Sequence, residues 1–233
     1  MAQIKANEAL VKALQTWNID HLYGIPGDSV DAVVDSLRTV RDQFKFYHVR
    51  HEEVASLAAA SYTKMTGKIG VALSIGGPGI VHLLNGMYDA KMDNVPQLII
   101  AGQTNSTLLG TKFFQETNIS KMVDDVAVYH HQIQKGDNVF EITNEAIRTA
   151  YEKKGVSVII CPNDLLTQKI KDTTNRAVDT TKPKPASPKF KSIKKAAKLI
   201  DKAKKPVMLI GLGTQHAKDE LREFIEAAKI PVI

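Results

Sequence analysis

Apolar and polar positions recur with two periods along this chain. In "NEALVKALQTW" the residues Leu10, Val11, Leu14 and Trp17 fall on one helix face. "HLYGIPG" then reads as a short strand closed by a glycine-proline turn, and "DSVDAVVDSLRTV" as a helix with Asp28 as its N-cap. "FKFYHV" is a predicted strand, and the alanine-rich run after Glu53 a predicted helix. "IGVALSI" is again a strand, "GPGIVHLLNGMYDAKM" a helix entered through glycines, and "PQLIIAG" a strand. "NVFEITNEAIRTAYEKKG" reads as a helix with a glycine stop, and "VSVIICP" as a last strand. Alternating helices and β-branched, apolar strands predict an α/β domain, a parallel sheet with both faces covered and right-handed crossovers.

The pattern breaks at "KDTTNRAVDTTKPKPASPK", where Pro183, Pro185 and Pro188 suit an extended linker. Alternation restarts beyond it with a lysine-rich helix, the strand "PVMLIGLG", the helix "AKDELREFIEAAK" and the strand "IPVI". The expected organisation is a first domain over 1–178, a linker over 179–190 and the opening of a second α/β domain over 191–233. The chain reads as truncated within that second domain.

Composition changes this picture little. The apolar share of 43% and charged share of 24% are ordinary for a soluble protein. No apolar run is long enough for a membrane span, and the N-terminus lacks the pattern of a secretory signal. One cysteine, Cys161, cannot form an internal disulfide, which points to a reducing cytoplasm. The net charge of +6 is local: ten lysines between 182 and 205 face one acid, Asp201, giving +9 there and leaving −3 elsewhere. In that helix Phe190, Ile193, Ala197, Ile200 and Ala203 share one side and lysines fill the other. A solvated outer face is the plain reading, and peripheral contact with an anionic membrane the second. Without interleaved aromatics, nucleic acid is not an expected partner.

Two stretches could carry chemistry. In "VRHEEVASLAAASYTKMTGK", two glutamates stand at the start of a run almost free of charge. A metalloprotease-type metal site would need a second histidine one turn after His51, where Ala55 stands, so no metal ligand is expected. Acids of a first helical turn can simply offset the helix dipole. Alternatively, the helix is buried nearly all round and carries a carboxylate into a crevice, with its pKa raised by apolar surroundings. In "SIGGPGIVHLLNGMYDA", a strand runs through Gly76, Gly77, Pro78 and Gly79 into a helix, which is either a tight turn or a backbone cradle for a ligand. Gly211 and Gly213 supply the first two glycines of a dinucleotide loop, but His216 stands where the third belongs. Ser29, Ser74, Cys161, and His130 and His131, which face opposite ways on a strand, receive no role.

Together, "YGIPGDSVDAVVDSL", the His-Glu helix, the Gly-Pro-Gly loop and "FFQETN" resemble the N-terminal pyrimidine-binding domain of thiamine-diphosphate enzymes, over essentially residues 3 to 233. "HLLNGMYDA" is similar to the pyruvate oxidase branch, where acetolactate synthases tend to carry a Thr-Asn pair. Within that branch the chain most resembles quinone-linked, acetate-forming pyruvate oxidases. The resemblance implies a full-length enzyme using thiamine diphosphate, FAD and Mg2+, converting pyruvate to acetate and carbon dioxide and passing electrons to quinone. It implies that Glu52 is the catalytic carboxylate, which hydrogen-bonds the cofactor's pyrimidine and promotes removal of the thiazolium C2 proton. Gly77, Pro78, Gly79, His82 and Asn85 would line the cofactor crevice, Phe114 and Gln115 would lie near the reacting carbon and the flavin, and Gly211 and Gly213 would belong to the flavin loop. The magnesium ligands belong to a C-terminal domain absent from this sequence, and the site forms against a partner subunit, so a homo-oligomer, dimer or tetramer, is expected. By that resemblance this chain alone is inactive, and the protein is cytoplasmic or peripheral at the inner face of the cell membrane. The alternatives are an acetolactate-synthase-like carboligase and a non-catalytic protein that keeps only the pyrimidine domain.

Overall fold

A computed structural model describes residues 2–183, 186–214 and 217–233, so Lys184, Pro185 and His216 of the sequence reading lie outside the described residues. The chain divides into two compact units, Met1–Pro183 and Lys184–Ile233.

The first unit opens with β1 (Gln3–Lys5), α1 (Ala6–Thr16), β2 (His21–Gly24), a 3-10 turn at Asp28–Val30 and α2 (Asp31–Thr39). It continues through β3 (Lys45–His48), α3 (Glu52–Thr66), β4 (Gly70–Ser74), α4 (Pro78–Met92) and β5 (Gln97–Gln103). After a 3-10 turn at Ser106–Leu108 come α5 (Ile119–Val123), β6 (Ala127–Gln132), α6 (Val139–Lys153), β7 (Val156–Pro162), α7 (Asn163–Leu166) and β8 (Lys169–Lys171). Six strands form one parallel sheet in the order β3-β2-β4-β5-β7-β6, as the strand–helix alternation requires. β1 and β8, too short and polar to show in the sequence pattern, pair antiparallel apart from it.

The central strands are buried on both faces, which is why they read as unbroken apolar runs. Their side chains still alternate. Val71, Leu73, Leu98, Ile100 and Ile159 pack with Leu10, Leu14, Val33 and Ile147 of α1, α2 and α6. Ala72, Ile99, Val158 and Ile160 pack on the other face with Ala59, Ile80, Leu83 and Met87 of α3 and α4, and with Ile119 and Val123 of α5. Residues 179–182 lie on this unit: Arg148 reaches the Asp179 carbonyl at 3.4 Å, and Lys182 Nζ donates to the Gly67 carbonyl at 2.6 Å.

Two local expectations are corrected. Asp28 is not an N-cap: Val30 N–H bonds the Gly27 carbonyl to make a 3-10 turn, and α2 starts only at Asp31 without a side-chain cap. Nor is α3 buried all round. Only Ala55, Ser56, Ala59, Ala60 and Thr63 are buried, while Val54 is 50% and Met65 85% exposed. The small residues serve close helix packing instead. A Cβ at Gly86 of α4 would lie 2.6 Å from the Leu57 nitrogen and the Ser56 Cβ, so the two backbones meet there.

The second unit contains α8 (Phe190–Lys202), a 3-10 turn (Leu212–Thr214) and α9 (Lys218–Ala228). The predicted strands around 208 and 232 appear as one short parallel pairing, with Met208 N–H bonded to the Pro231 carbonyl at 2.9 Å and Ile233 N–H to that of Met208 at 2.9 Å. Phe190 and Ile193, on the apolar side of α8, are exposed, and so is Leu199 on the opposite side. No described helix is long and apolar enough to cross a membrane.

Candidate functional site

The sheet order changes direction between β2 and β4: β3 lies beyond one, β5 beyond the other. At such a switch point the loops leaving the carboxyl ends of adjacent strands part in opposite directions and open a crevice. Here the crevice has a volume of ≈ 330 Å³ and is bordered by the ends of β2, β4, β5 and β7, through Ser29, Gly76, Gln103 and Asn163. Phe114, 75% exposed, and Gln115 close its outer side.

The 76–79 turn is held by distant partners. Gly76 N–H donates to Ser29 Oγ at 3.0 Å. Gly77 has φ +60°, a left-handed conformation that disfavours any side chain, and a Cβ there would stand 2.9 Å from the Gln115 carbonyl oxygen. Pro78 takes the first helical position, where its missing N–H costs nothing. Gln115 itself has φ +62°. The loop that bears it is tied by Glu116, whose carboxylate accepts from Gly110 N–H at 2.5 Å and Phe113 N–H at 3.2 Å. Backbone donors, that of Gly110 foremost, hold the Glu116 carboxyl below the usual range.

His51 caps α3, its Nδ1 accepting from Glu53 N–H at 3.3 Å. The α3–α4 approach at Gly86 then sets the first turn of α3 beside α4. His82 Nδ1 meets Glu52 Oε2 at 2.9 Å, and Asn85 Nδ2 donates to Glu53 Oε1. Adjacent glutamates thus part. The Glu52 side chain is 12% exposed, that of Glu53 37%. The raised pKa considered for a carboxylate in apolar surroundings is not found at Glu52. Burial does push it up, but the His82 hydrogen bond, a backbone N–H and the charges of His82 and His51 together hold the carboxyl below its ordinary value.

The structure therefore gathers Glu52, His82 and Asn85 at the facing ends of α3 and α4, and Gly77 against Gln115. Pro78 and Gly79 link the two groups as the first turn of α4. Gly211 and Gly213 lie in the second unit, with nothing among the described residues within 4 Å of a Cβ built at either. Ser29, Asn163 and Glu116 were not expected to take part, because their partners are distant in sequence or are backbone groups, which residue type alone does not reveal. Asn163 Nδ2 donates to the Asp28 carbonyl at 2.9 Å and to Asp31 at 2.6 Å. Its buried Oδ1 has no donor among the described residues. An orphaned acceptor and a glycine cradle with no room for a Cβ are what a crevice that receives a polar ligand requires.

Comparison with known proteins gives two matching family models. The thiamine pyrophosphate enzyme N-terminal TPP binding domain matches residues 4–122, and the central domain of the same enzymes matches residues 193–233. YdaP of Bacillus subtilis is 46% identical over 233 residues, covering 100% of this chain and 41% of that protein. A pyruvate oxidase of Lactiplantibacillus plantarum is 38% identical over 232 residues, 99% of this chain and 38% of the relative. An acetolactate synthase large subunit of Mycobacterium tuberculosis, IlvB1, is 33% identical over 239 residues, 100% of this chain and 38% of the relative. The chain thus spans about two fifths of the length of these relatives.

Proposed function

The chain belongs to the thiamine pyrophosphate enzymes, and from that premise we propose that it serves a pyruvate oxidase, which decarboxylates pyruvate oxidatively to acetate and passes the electrons through FAD to quinone. The observation that carries this reading is the partly buried Glu52 carboxylate at the mouth of α3, bonded to the helix that the glycine turn opens. Thiamine diphosphate supplies an electron sink that lets a 2-keto acid lose carbon dioxide. This chain contributes the acceptor that governs a proton at the pyrimidine. Glu52 Oε2, ionised and already aligned by His82, is suited to hold that proton. In the crevice that Gly76 and Asn163 line, Gly76 and Gly77 keep the backbone bare, and the buried Asn163 Oδ1 has no donor among the described residues.

Two features support an acetate-forming oxidase. The loop in which acetolactate synthases tend to carry a Thr-Asn pair reads "HLLNGMYDA" here, and its His82 touches Glu52. The described lining of the crevice includes Asp28 and Asp31 and no lysine or arginine, which favours water over phosphate as the acceptor of the acetyl group. Magnesium ligands are proposed to lie outside this chain. The outer face of α3 and α4 leaves Val54, Met65, Val81, Tyr88 and Met92 exposed, which supports a homo-oligomer in which another subunit covers it. The lysines of α8, with exposed Phe190 and Ile193 beside them, support peripheral contact of a cytoplasmic protein with an anionic membrane.

The test is Glu52→Gln in the enzyme. Loss of roughly 10²–10⁴ in the rate of pyruvate consumption is expected for removing a proton-transfer group. An unchanged rate sinks the assignment of Glu52, whereas a wild-type protein that consumes no pyruvate leaves a non-catalytic binding protein. Acetolactate in place of acetate among the products moves the protein to the carboligase branch.

A further inference from the structure

Spacing along one helix excludes a metal at His51, because Ala55 stands one turn on. The fold supplies the missing histidine from another helix. His51, Glu52 and His82 each place a ligand atom within 4.8 Å of the other two. The imidazole rings of His51 and His82 lie face to face, centroids 4.4 Å apart and inclined by 28°, with Glu52 Oε2 2.9 Å from His82 Nδ1. Two imidazoles and one carboxylate are the donor set of a three-ligand zinc site, and imidazole nitrogen suits nickel, copper and zinc over calcium or magnesium.

The surroundings fit. Among the described residues no lysine or arginine pairs with Glu52, so its negative charge faces imidazoles alone. Glu53 is engaged by Asn85, which leaves Glu52 as the carboxylate of the cluster. Ion–donor bonds of about 2.1 Å place tetrahedral donors about 3.4 Å apart, so no pair need close by more than about 1.4 Å. The side chains of His51 and His82 are 48% and 42% exposed and have room to turn. The same exposure gives an ion a path from solvent.

We propose that His51, Glu52 and His82 form a binding site for a divalent transition ion of the zinc or nickel kind, and that its occupation withdraws Glu52 from the cofactor. The site stands on the geometry alone. The inhibitory consequence rests on the reading of Glu52 given above. The ion bonds to the Glu52 carboxylate and to one nitrogen of each imidazole, and any proton on a nitrogen it takes is released to solvent. No oxidation or reduction is involved.

The experiment titrates zinc chloride, and separately nickel chloride, into the purified chain in a buffer that does not chelate. Binding is read by calorimetry and by the visible spectrum of a cobalt-loaded sample. One ion per chain is expected, with affinity lowered at least about tenfold in each of His82→Asn, His51→Ala and Glu52→Gln, a loss at the low end of those seen when residues supporting a metal site are removed. His130→Ala, outside the cluster, is expected to bind as wild type does. Unchanged binding in all three cluster variants, with their circular dichroism and melting intact, overturns the site, as does a wild-type chain that takes up no ion. A second arm adds zinc to the active enzyme. Inhibition that His82→Asn relieves supports the regulatory half. Full activity with the site loaded overturns that half and leaves the binding site standing, and neither result decides whether Glu52 serves thiamine diphosphate.

Discussion

The chain has two glycine turns that look alike in sequence, Gly76-Gly77-Pro78-Gly79 after β4 and Gly211-Leu212-Gly213 after the pairing at Met208. In the first, every glycine is hemmed in. A Cβ would stand 3.0 Å from the Gly102 carbonyl at Gly76, 2.9 Å from the Gln115 carbonyl at Gly77 and 2.8 Å from Ile75 Cγ1 at Gly79. In the second, a Cβ at Gly211 or Gly213 meets nothing within 4 Å among the described residues, and neither residue has a left-handed φ. Glycine is demanded in the first turn by the chain's own packing. In the second, packing among the described residues does not explain it. A glycine motif is therefore two different physical statements that sequence cannot separate.

The sharpest way to break the contrast is Gly77→Ala. Its left-handed backbone costs an alanine about 1–2 kcal/mol, and a Cβ pressed on the Gln115 backbone adds to this. We expect a loss of about 2–3 kcal/mol in denaturant unfolding, and a crevice disturbed on the Gln115 side. A loss below about 0.5 kcal/mol, the scale of a neutral surface change, would mean that the first turn is as unconstrained as the second.

What the sequence disclosed follows from where its information lies. The strands β4, β5 and β7 were legible because burial on both faces forces continuous apolar runs. The two glutamates drew attention because carboxylates before a charge-free run are chemically odd, but only the family resemblance singled out Glu52. Its pairing with His82 was not legible, since it depends on where α3 and α4 cross, and Gly86 sets that thirty-odd residues away in the chain. The alanines of α3 gave a false impression of burial all round, because a small residue is compatible both with a tight helix contact and with solvent. Asp28 misled because a 3-10 turn inserts before the helix that its side chain was expected to cap.

A smaller effect asks whether the ordering of α4 reaches Glu52, the proposed catalytic residue. A carboxyl held lower in the folded than in the unfolded chain adds stability above its ordinary value of 4.5 and loses it as pH falls through the folded value. Wild type should therefore exceed Glu52→Gln by less than about 1 kcal/mol near neutrality, a gap that closes as the solution is acidified. In His82→Ala the hydrogen bond that lowers the carboxyl is gone and burial remains, so the Glu52 titration should move upward, and the gap should vanish or reverse. Carbon-detected NMR of the Glu52 carboxyl across the acidic range reads this directly. A titration unmoved by His82→Ala would show that the α4 contact does not set the state of the acid.

The smallest expected effect bears on the open turn. Gly211→Ala places a methyl group where no described residue lies within 4 Å, in a conformation an alanine tolerates, and it narrows the unfolded ensemble. Melting should be unchanged or raised by an amount equivalent to about 0.5 kcal/mol. If stability is indifferent to this glycine, the remaining physical reason for it is the close approach of something outside the chain, and the proposed flavin is the candidate. FAD affinity of the full-length enzyme, read by quenching of flavin fluorescence, should then fall in Gly211→Ala while its melting without flavin holds. A variant that melts early would make Gly211 a packing residue like Gly77 and erase the contrast between the turns. One that keeps both stability and flavin would leave the contrast intact and remove the flavin from the second turn.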